Sequence, residues 1–466
     1  MRKQWTLFAI SSLALALAAP FAIEPVASQS FRDKGGDRDR AKDPGVRGGM
    51  PGAGGHLANL TDNEIRFFEL GKEDFNEEEG VRDGLGPRMN LDGCGGCHAQ
   101  PAIGGTAPAV NPQVAFASKR GGTDFVPPFV LLDGPVREAR FVRNPDGSPD
   151  GGVHALFTVT GWGGADGCTL PQPDFAAQMA KRNVIFRIPT AVFGAGLIEQ
   201  ILDSTILANL EAQSGRKREL GIRGRANFRV SGRAITGQTN NNGNDGTIAR
   251  FGWKAQNVSL MLFSGEAYNV EMGITNELFQ VERDETPVCQ FATVPNDTQN
   301  FDALDAASGS TAIQNFANFQ RLLAPPQPSP DTPGGEESIA RGRGLFESTG
   351  CALCHTPALQ TDGNATVAAL RNQVANLYSD LLLHDMGKGL ADGVSQGQAG
   401  PSEFRTAPLW GLGQRIFFLH DGRTSDLVEA IKEHRSDGSQ ANRVIGNFND
   451  LKEKQKQDLL NFLRSL

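Results

Sequence analysis

Cysteine and histidine are scarce in this sequence, with six and seven copies in 466 residues. Basic stripes interleaved with aromatics are absent, which argues against nucleic acid as a partner. Charge is mixed, with a net −8. That fits an ordinary solvated acidic surface and points only faintly to a cationic redox partner. Apart from Leu7 to Ala19, no run approaches the ~20 apolar residues of a spanning helix. No integral membrane segment is therefore expected in the mature chain. Arg2 and Lys3, the short apolar run and Val26-Ala-Ser28 read as a secretory signal over residues 1–28. No cysteine lies beside Val26-Ala-Ser28, which argues against a lipid anchor. The expected compartment is the periplasm.

The few cysteines are not scattered. Four of the six fall in Cys94-Gly-Gly-Cys97-His98 and Cys351-Ala-Leu-Cys354-His355. Cys-x-x-Cys-His is the attachment signature of a c-type haem. Two cysteines three apart each reach one vinyl group of a porphyrin, and the next residue falls beneath the iron. The expectation is two covalently attached haem c groups, with His98 and His355 as proximal ligands. Export fits this, because c-type attachment takes place outside the bacterial cytoplasmic membrane. The remaining cysteines, Cys168 and Cys289, are either a disulfide or two buried thiols.

The chain is long enough for two or three domains. The expected fold is mainly α with long loops and a few short strands. Residues 29–56 lack a hydrophobic period and read as a flexible leader. Residues 57–323 read as an N-terminal haem c domain with insertions. Thr61-Asp-Asn-Glu64 opens its first helix with capping-box spacing. Strands are expected at Phe129 to Leu132 and Ala155 to Thr160, and helices at 175–183, 204–214 and Ala312 to Leu323. The polar loop Thr239 to Gly246 carries enough oxygen donors to raise one Ca2+ as a candidate. Its spacing departs from the EF-hand pattern and favours a plain surface loop. Residues 324–335 form a Pro-rich linker. Residues 336–466 look like a compact cytochrome c-like domain, with a helix before Cys351 and an amphipathic helix over Leu451 to Leu466. This gives two cytochrome c-like domains, the first enlarged.

A further set of segments carries a resemblance. Gly84-Leu-Gly-Pro87, Phe251-Gly-Trp-Lys-Ala-Gln256, Met272-Gly-Ile-Thr275, Leu383-His-Asp-Met-Gly387, Arg405 to Gly413 and Leu419-His-Asp-Gly-Arg423 together resemble the di-haem oxidoreductase family, sometimes labelled thiol oxidoreductase. That family is similar to bacterial di-haem cytochrome c peroxidases and to the di-haem enzyme of methylamine metabolism. The resemblance spans roughly residues 57–466. It implies that the N-terminal haem reacts with hydrogen peroxide. The C-terminal haem would then relay electrons from a partner protein or a small redox molecule.

The resemblance also orders the candidate ligands. In the peroxidases a His-Asp-Gly segment is followed by a methionine that ligates the relay haem. Here the segment is His420-Asp-Gly422, and a similar interval reaches His434. His434 is thus the expected sixth ligand of the second haem, with His384 and Met386 as rivals. A histidine in place of methionine lowers the haem potential. His420 is expected to support a haem edge or propionate, and Arg405 to pair with a propionate. The first haem has no convincing sixth ligand. His154 and Met272 are weaker candidates than an open or water-bound site. Peroxide cleavage needs a proton carrier, and Glu199 is the candidate by position. Trp162, Trp253 and Trp410 are candidates for an inter-haem relay.

Other readings compete. A di-haem electron carrier without catalysis would have two six-coordinate irons and ignore peroxide and cyanide. A thiol-disulfide enzyme is disfavoured by the histidine after each motif and by the absence of a βαβ frame. A four-cysteine zinc site fails because its halves are too far apart in sequence.

Overall fold

The computed structural model describes residues 40–228, 234–235, 238–239, 248–281, 286–300, 302–303, 305–328 and 331–466. The expected signal and most of the candidate calcium loop lie outside them. Among these residues there are fourteen α-helices, whereas no strand exceeds four residues. The chain is therefore mainly helical with long connections. No described helix is long and apolar enough to cross a membrane.

Eight helices position the site: α1 Asp62–Asn76, α2 Cys94–Cys97, α3 Ala195–Glu199, α4 Leu260–Met272, α5 Ala312–Leu322, α6 Glu336–Thr349, α7 Leu427–Glu433 and α8 Glu453–Ser465. Thr61 caps α1, and Glu64 reaches back to the Thr61 amide at 2.7 Å. Thr311 and Gln314 build the same box on α5. These reciprocal bonds satisfy amides that the first turn leaves without partners. α1 then crosses α5 with Phe68 and Phe75 against Phe319. The crossing passes through Gly71, where an added Cβ would strike the Asn315 carbonyl. α6 crosses α8 in the same way. Phe346 meets Phe462 at 5.5 Å, and a Cβ at Gly342 would strike the Asp458 carbonyl. Cys351 follows α6 after Gly350 alone, whereas Cys94 follows α1 after the connection 77–93.

Between the two pairs lies a small antiparallel sheet. Strand β1 Glu138–Phe141 is flanked by β2 Val153–His154 and β3 Val184–Arg187. Glu138 sits opposite Arg187. Side chains alternate along a strand, so Glu138, Arg140 and Arg187 share one face. Phe129 to Leu132, expected as a strand, is a turn. Of 155–160 only Phe157–Thr158 pairs, with Arg88–Met89. The helix expected over 204–214 ends at Glu211, and a second runs from Ser214 to Leu220.

Residues 41–56 are not a free leader. Asp43 forms a bidentate pair with buried Arg464 on α8, at 2.7 and 2.6 Å. The Arg47 amide donates to the Gly413 carbonyl, and its guanidinium to the Ser465 and Leu466 carbonyls. Further on, Ala324 and Gln327 donate to the Gly55 and Gly52 carbonyls. The segment is held by polar partners distant in sequence, which a search for apolar periodicity does not register. The larger apolar core also ignores the linker: Leu359, Leu370, Leu377, Leu381 and Leu382 pack into the same core as Phe68 and Phe319. Cys168 and Cys289 are joined by a disulfide across 121 positions, with Cα atoms 4.8 Å apart.

Candidate functional site

Two cavities open beside the two crossed helix pairs. The first has a volume of about 180 Å3 and is lined by Cys94, Cys97 and His98. α2 carries the cysteines in one turn, and its closing amide, that of His98, donates to Cys94. His98 Nδ1 lies 2.9 Å from the Gly105 carbonyl, so this nitrogen carries the hydrogen. Burial lowers the His98 pKa and keeps the ring neutral. Nε2 is left with a free lone pair, the state a metal ligand needs. Phe75 packs edge-on against the ring at 5.7 Å.

One part of this wall is charged. Glu138, Arg140, Arg187 and Glu271 all line it. Burial pushes Glu138 up, but Arg140 Nε at 2.6 Å, Glu271 and Arg187 outweigh it and hold Glu138 at about 2. Burial, then the Glu138 charge, raises Glu271 well above its ordinary value. Two carboxyls this close cannot both ionise. Glu138 is the ionised member and Glu271 holds the proton. Asn90 Nδ2 donates to Glu271 Oε2 at 2.6 Å and fixes it.

The second cavity has a volume of about 210 Å3 and is lined by Cys351, Cys354, His355 and His434. His355 Nδ1 lies 3.1 Å from the Tyr378 carbonyl. His434, at the end of α7, puts Nδ1 2.8 Å from the Ala430 carbonyl. Both rings thereby keep Nε2 free. Burial, and after it His434, brings His355 to about 4; the two imidazoles feel each other across the cavity. His384 is differently placed. Its Nε2 meets Asp380 at 2.9 Å and its Nδ1 meets Gln440 at 3.1 Å. Both nitrogens are occupied, so it is the weaker ligand. Met386 also lines this cavity.

Arg405 and Arg415 face the same space. Burial lowers both to about 10, and mutual repulsion adds to the effect at Arg405. Among the described residues neither pairs with a carboxylate. A buried cation without an anion is costly. A haem brings two propionates, two vinyl groups and an iron, which answer this pair of cations, the cysteine pair and the inward nitrogens. The residues present fit the group.

Trp253 lines both cavities. Its indole N–H donates to the Ile188 carbonyl at 2.9 Å, which fixes the ring between them. Trp162 packs on Phe116 beneath Arg120, and Trp410 sits against Gly194. Neither lines these two cavities, so of the three relay candidates only Trp253 stands at both. Glu199 is displaced as well. Its carboxylate bonds Arg321 at 2.7 Å and accepts the first amide of α4 at 2.9 Å. It ties α3, α4 and α5 together away from the cavity. His154 pairs with Asp150 at 2.8 Å and stacks on Phe141, outside the lining. Met272 lines the first cavity.

Glu138, Arg140, Arg187, Glu271, Tyr268 and Arg415 were not singled out from the sequence. One signal was available: Glu271 directly precedes the Met272-Gly-Ile-Thr275 segment. The thiols argue against disulfide chemistry. Burial pushes Cys94 to about 12 and Cys351 to about 11, whereas a thiol catalyst needs a thiolate near neutral pH.

Two such cavities on one chain define a di-haem redox protein. The chain belongs to the di-haem oxidoreductase family: the family described as "Di-haem oxidoreductase, putative peroxidase" matches residues 151–466. The match takes in Cys351 to His355 and begins downstream of Cys94 to His98. No curated protein matches the chain. Among solved structures, a MauG-like protein associated with microbial copper homeostasis is similar over 46% of this chain and 68% of its own, at 19% identity and TM-score 0.26. Hydrazine synthase of Kuenenia stuttgartiensis is similar over 44% of this chain, at 18% identity and TM-score 0.24, and the match spans 60% of that chain. With likenesses this partial, the family match carries the assignment.

Proposed function

We propose that the chain is an exported di-haem c-type oxidoreductase of the peroxidase type. Two cytochrome c-like units hold haem through Cys94, Cys97 and His98 and through Cys351, Cys354 and His355. The N-terminal cavity is the place of reaction, and the C-terminal cavity relays electrons from a partner protein or a small redox molecule. The observation that carries this reading is the buried carboxyl pair Glu138 and Glu271, held by Arg140 and Asn90 in the wall of the first cavity, whereas no described carboxyl lines the second. The disulfide fits an oxidising compartment.

A haem in the first cavity would supply redox chemistry for the two-electron reduction of hydrogen peroxide. The chain supplies the protons. Cleaving a peroxide O–O bond requires a proton at the departing oxygen, and the Glu271 carboxyl holds one in the cavity wall. Glu138 stays ionised against Arg140 and is the return point for a proton. Arg187 fixes the charge of that pair. In the second cavity Arg405 and Arg415 would hold the propionates, and His434 would offer its free Nε2 as a second nitrogen ligand beside that of His355. Trp253, shared by both walls, offers an aromatic path between them.

Visible and EPR spectra of the purified holoprotein, with and without peroxide and cyanide, test the reading. The expected result is two haems, one high-spin and cyanide-binding, the other low-spin with two nitrogen ligands. Two six-coordinate irons that ignore peroxide would make the chain an electron carrier. A sulfur-ligand signature at the second haem would replace His434 with Met386.

A further inference from the structure

The chain has only two tyrosines, and one of them, Tyr268, lines the N-terminal cavity. It lies on α4, one turn before Glu271. Its ring meets Phe316 edge-on at 5.0 Å. Its hydroxyl donates to Glu79 Oε1 at 2.8 Å. Tyrosine and carboxyl are 4% and 9% exposed, so the bond is shielded from water.

A buried phenol needs a hydrogen-bond partner, which a neutral acceptor can supply. A buried carboxylate is an expensive substitute, because its charge is desolvated. Burial pushes Glu79 up. The Tyr268 bond opposes this only in part, and the charges of Glu77, Asp83 and Asp74 add to it, leaving Glu79 at about 7. The group is thus poised to take a proton near neutrality. Mere satisfaction of the hydroxyl does not call for so basic a partner. One-electron oxidation of a phenol does, since the phenol must shed its proton as the electron leaves.

We propose that Tyr268 and Glu79 form a proton-coupled redox site serving the N-terminal cavity, in which Tyr268 gives up one electron and passes its phenolic proton to Glu79 Oε1. The inference rests on the proposed peroxide reaction. Reducing hydrogen peroxide to two waters takes two electrons and two protons. One electron comes from Tyr268, whose O–H bond breaks, leaving a phenoxyl radical and a protonated Glu79. The other electron comes from the haem pair; Glu271 gives one proton and becomes a carboxylate, and hydronium from solvent gives the second and later reprotonates Glu271. The site resets when a one-electron donor returns an electron to the phenoxyl and Glu79 gives its proton back. One oxidising equivalent is meanwhile stored on the chain.

The test is rapid-freeze EPR on the holoprotein, with the oxidant delivered in two ways: as hydrogen peroxide, and as a photogenerated ruthenium(III) complex that bypasses peroxide. A phenoxyl signal is expected that narrows with ring-deuterated tyrosine, disappears in Tyr268→Phe and persists in Tyr378→Phe. Glu79→Gln keeps a partner for the hydroxyl but removes the base. Its radical yield should fall roughly a hundredfold, the lower end of what a positioned base contributes. Resting haem spectra matching the parent protein show that each variant is folded. A signal that survives Tyr268→Phe overturns the proposal, as does a yield unchanged in Glu79→Gln. Phenoxyl formed by the ruthenium oxidant, with haem spectra indifferent to peroxide, keeps the site and overturns the peroxide reading. A haem response to peroxide with no phenoxyl from either oxidant does the reverse.

Discussion

Around His98 the cavity wall carries Glu138, Arg140, Arg187 and Glu271; around His355 it carries His434, Phe404, Arg405 and Arg415. Both sites begin from the same three residue types at the same spacing and from a helix pair crossing at a glycine. What differs is the source of the opposite wall. In the first it comes from β1, β3 and α4, which place acids and bases as neighbours that neutralise one another and share a proton. In the second it comes from α7, the short strand Glu403–Arg405 and the segment that links them. There, among the described residues, the cations pair with no carboxylate, and an imidazole faces an imidazole. Identical anchors therefore take their chemistry from their surroundings. A wall that keeps a movable proton suits bond cleavage. A wall that offers a second ligand and fixed positive charge suits electron relay.

The sharpest way to break this comparison is Glu271→Gln. The amide can still accept from Asn90 and donate to Glu138, so folding and haem content should hold. Only the transferable proton is lost. The rate of the haem's reaction with peroxide should fall about 10²- to 10⁴-fold, read by stopped-flow absorbance. A rate equal to that of the parent protein would remove the distinction between the cavities.

Asp43→Ala probes how the second cavity is held. Arg464 is buried, and losing its partner should destabilise the fold by about 3–5 kcal/mol, measured by denaturant titration. The pH dependence has a definite sign. Burial raises the Asp43 carboxyl, but the Arg464 bond outweighs it and holds it below its ordinary 3.8. The stabilisation is therefore complete above that ordinary value and lost as the pH falls below it. The variant should lack this part of the acid transition.

Trp253→Phe tests the connection between the cavities. Losing the bond to the Ile188 carbonyl should cost about 1 kcal/mol. The first haem should still respond to peroxide while the response of the second is delayed. Simultaneous responses would exclude Trp253 as the path.

The anchors and the helices flanking them were legible because their signals are local. Cys-x-x-Cys-His is five residues long, and the Thr61 box is four. The walls were not legible, because each is assembled across long separations. Glu138 and Glu271 meet only after β1 and α4 pack. Asp43 meets Arg464 only after the chain has folded back on its other end. Glu199 shows the limit from the other side. Its place shortly after Phe193 suggested nearness to the haem. The single turn of α3 instead directs the carboxylate to Arg321 and the start of α4. Sequence position fixed the neighbourhood of that residue and left its direction open.

Arg415 gives the smallest expected effect. Its guanidinium has no carboxylate partner among the described residues, and burial depresses its pKa to about 10. In the chain alone, that arrangement is unfavourable, so replacing the side chain removes a penalty and no native ion pair. With haem present it is favourable, because a propionate supplies the anion. Arg415→Gln should therefore leave the first cavity and its reaction with peroxide unchanged. At the second, removing positive charge beside the haem makes an incoming electron less welcome, so the potential of that haem should drop. Arg405 remains nearby, which keeps the shift small. Spectroelectrochemical titration resolves the two haems by their separate midpoints. A shift confined to the C-terminal haem assigns Arg415 to its propionate, and an unmoved pair of midpoints shows that the guanidinium has some other partner.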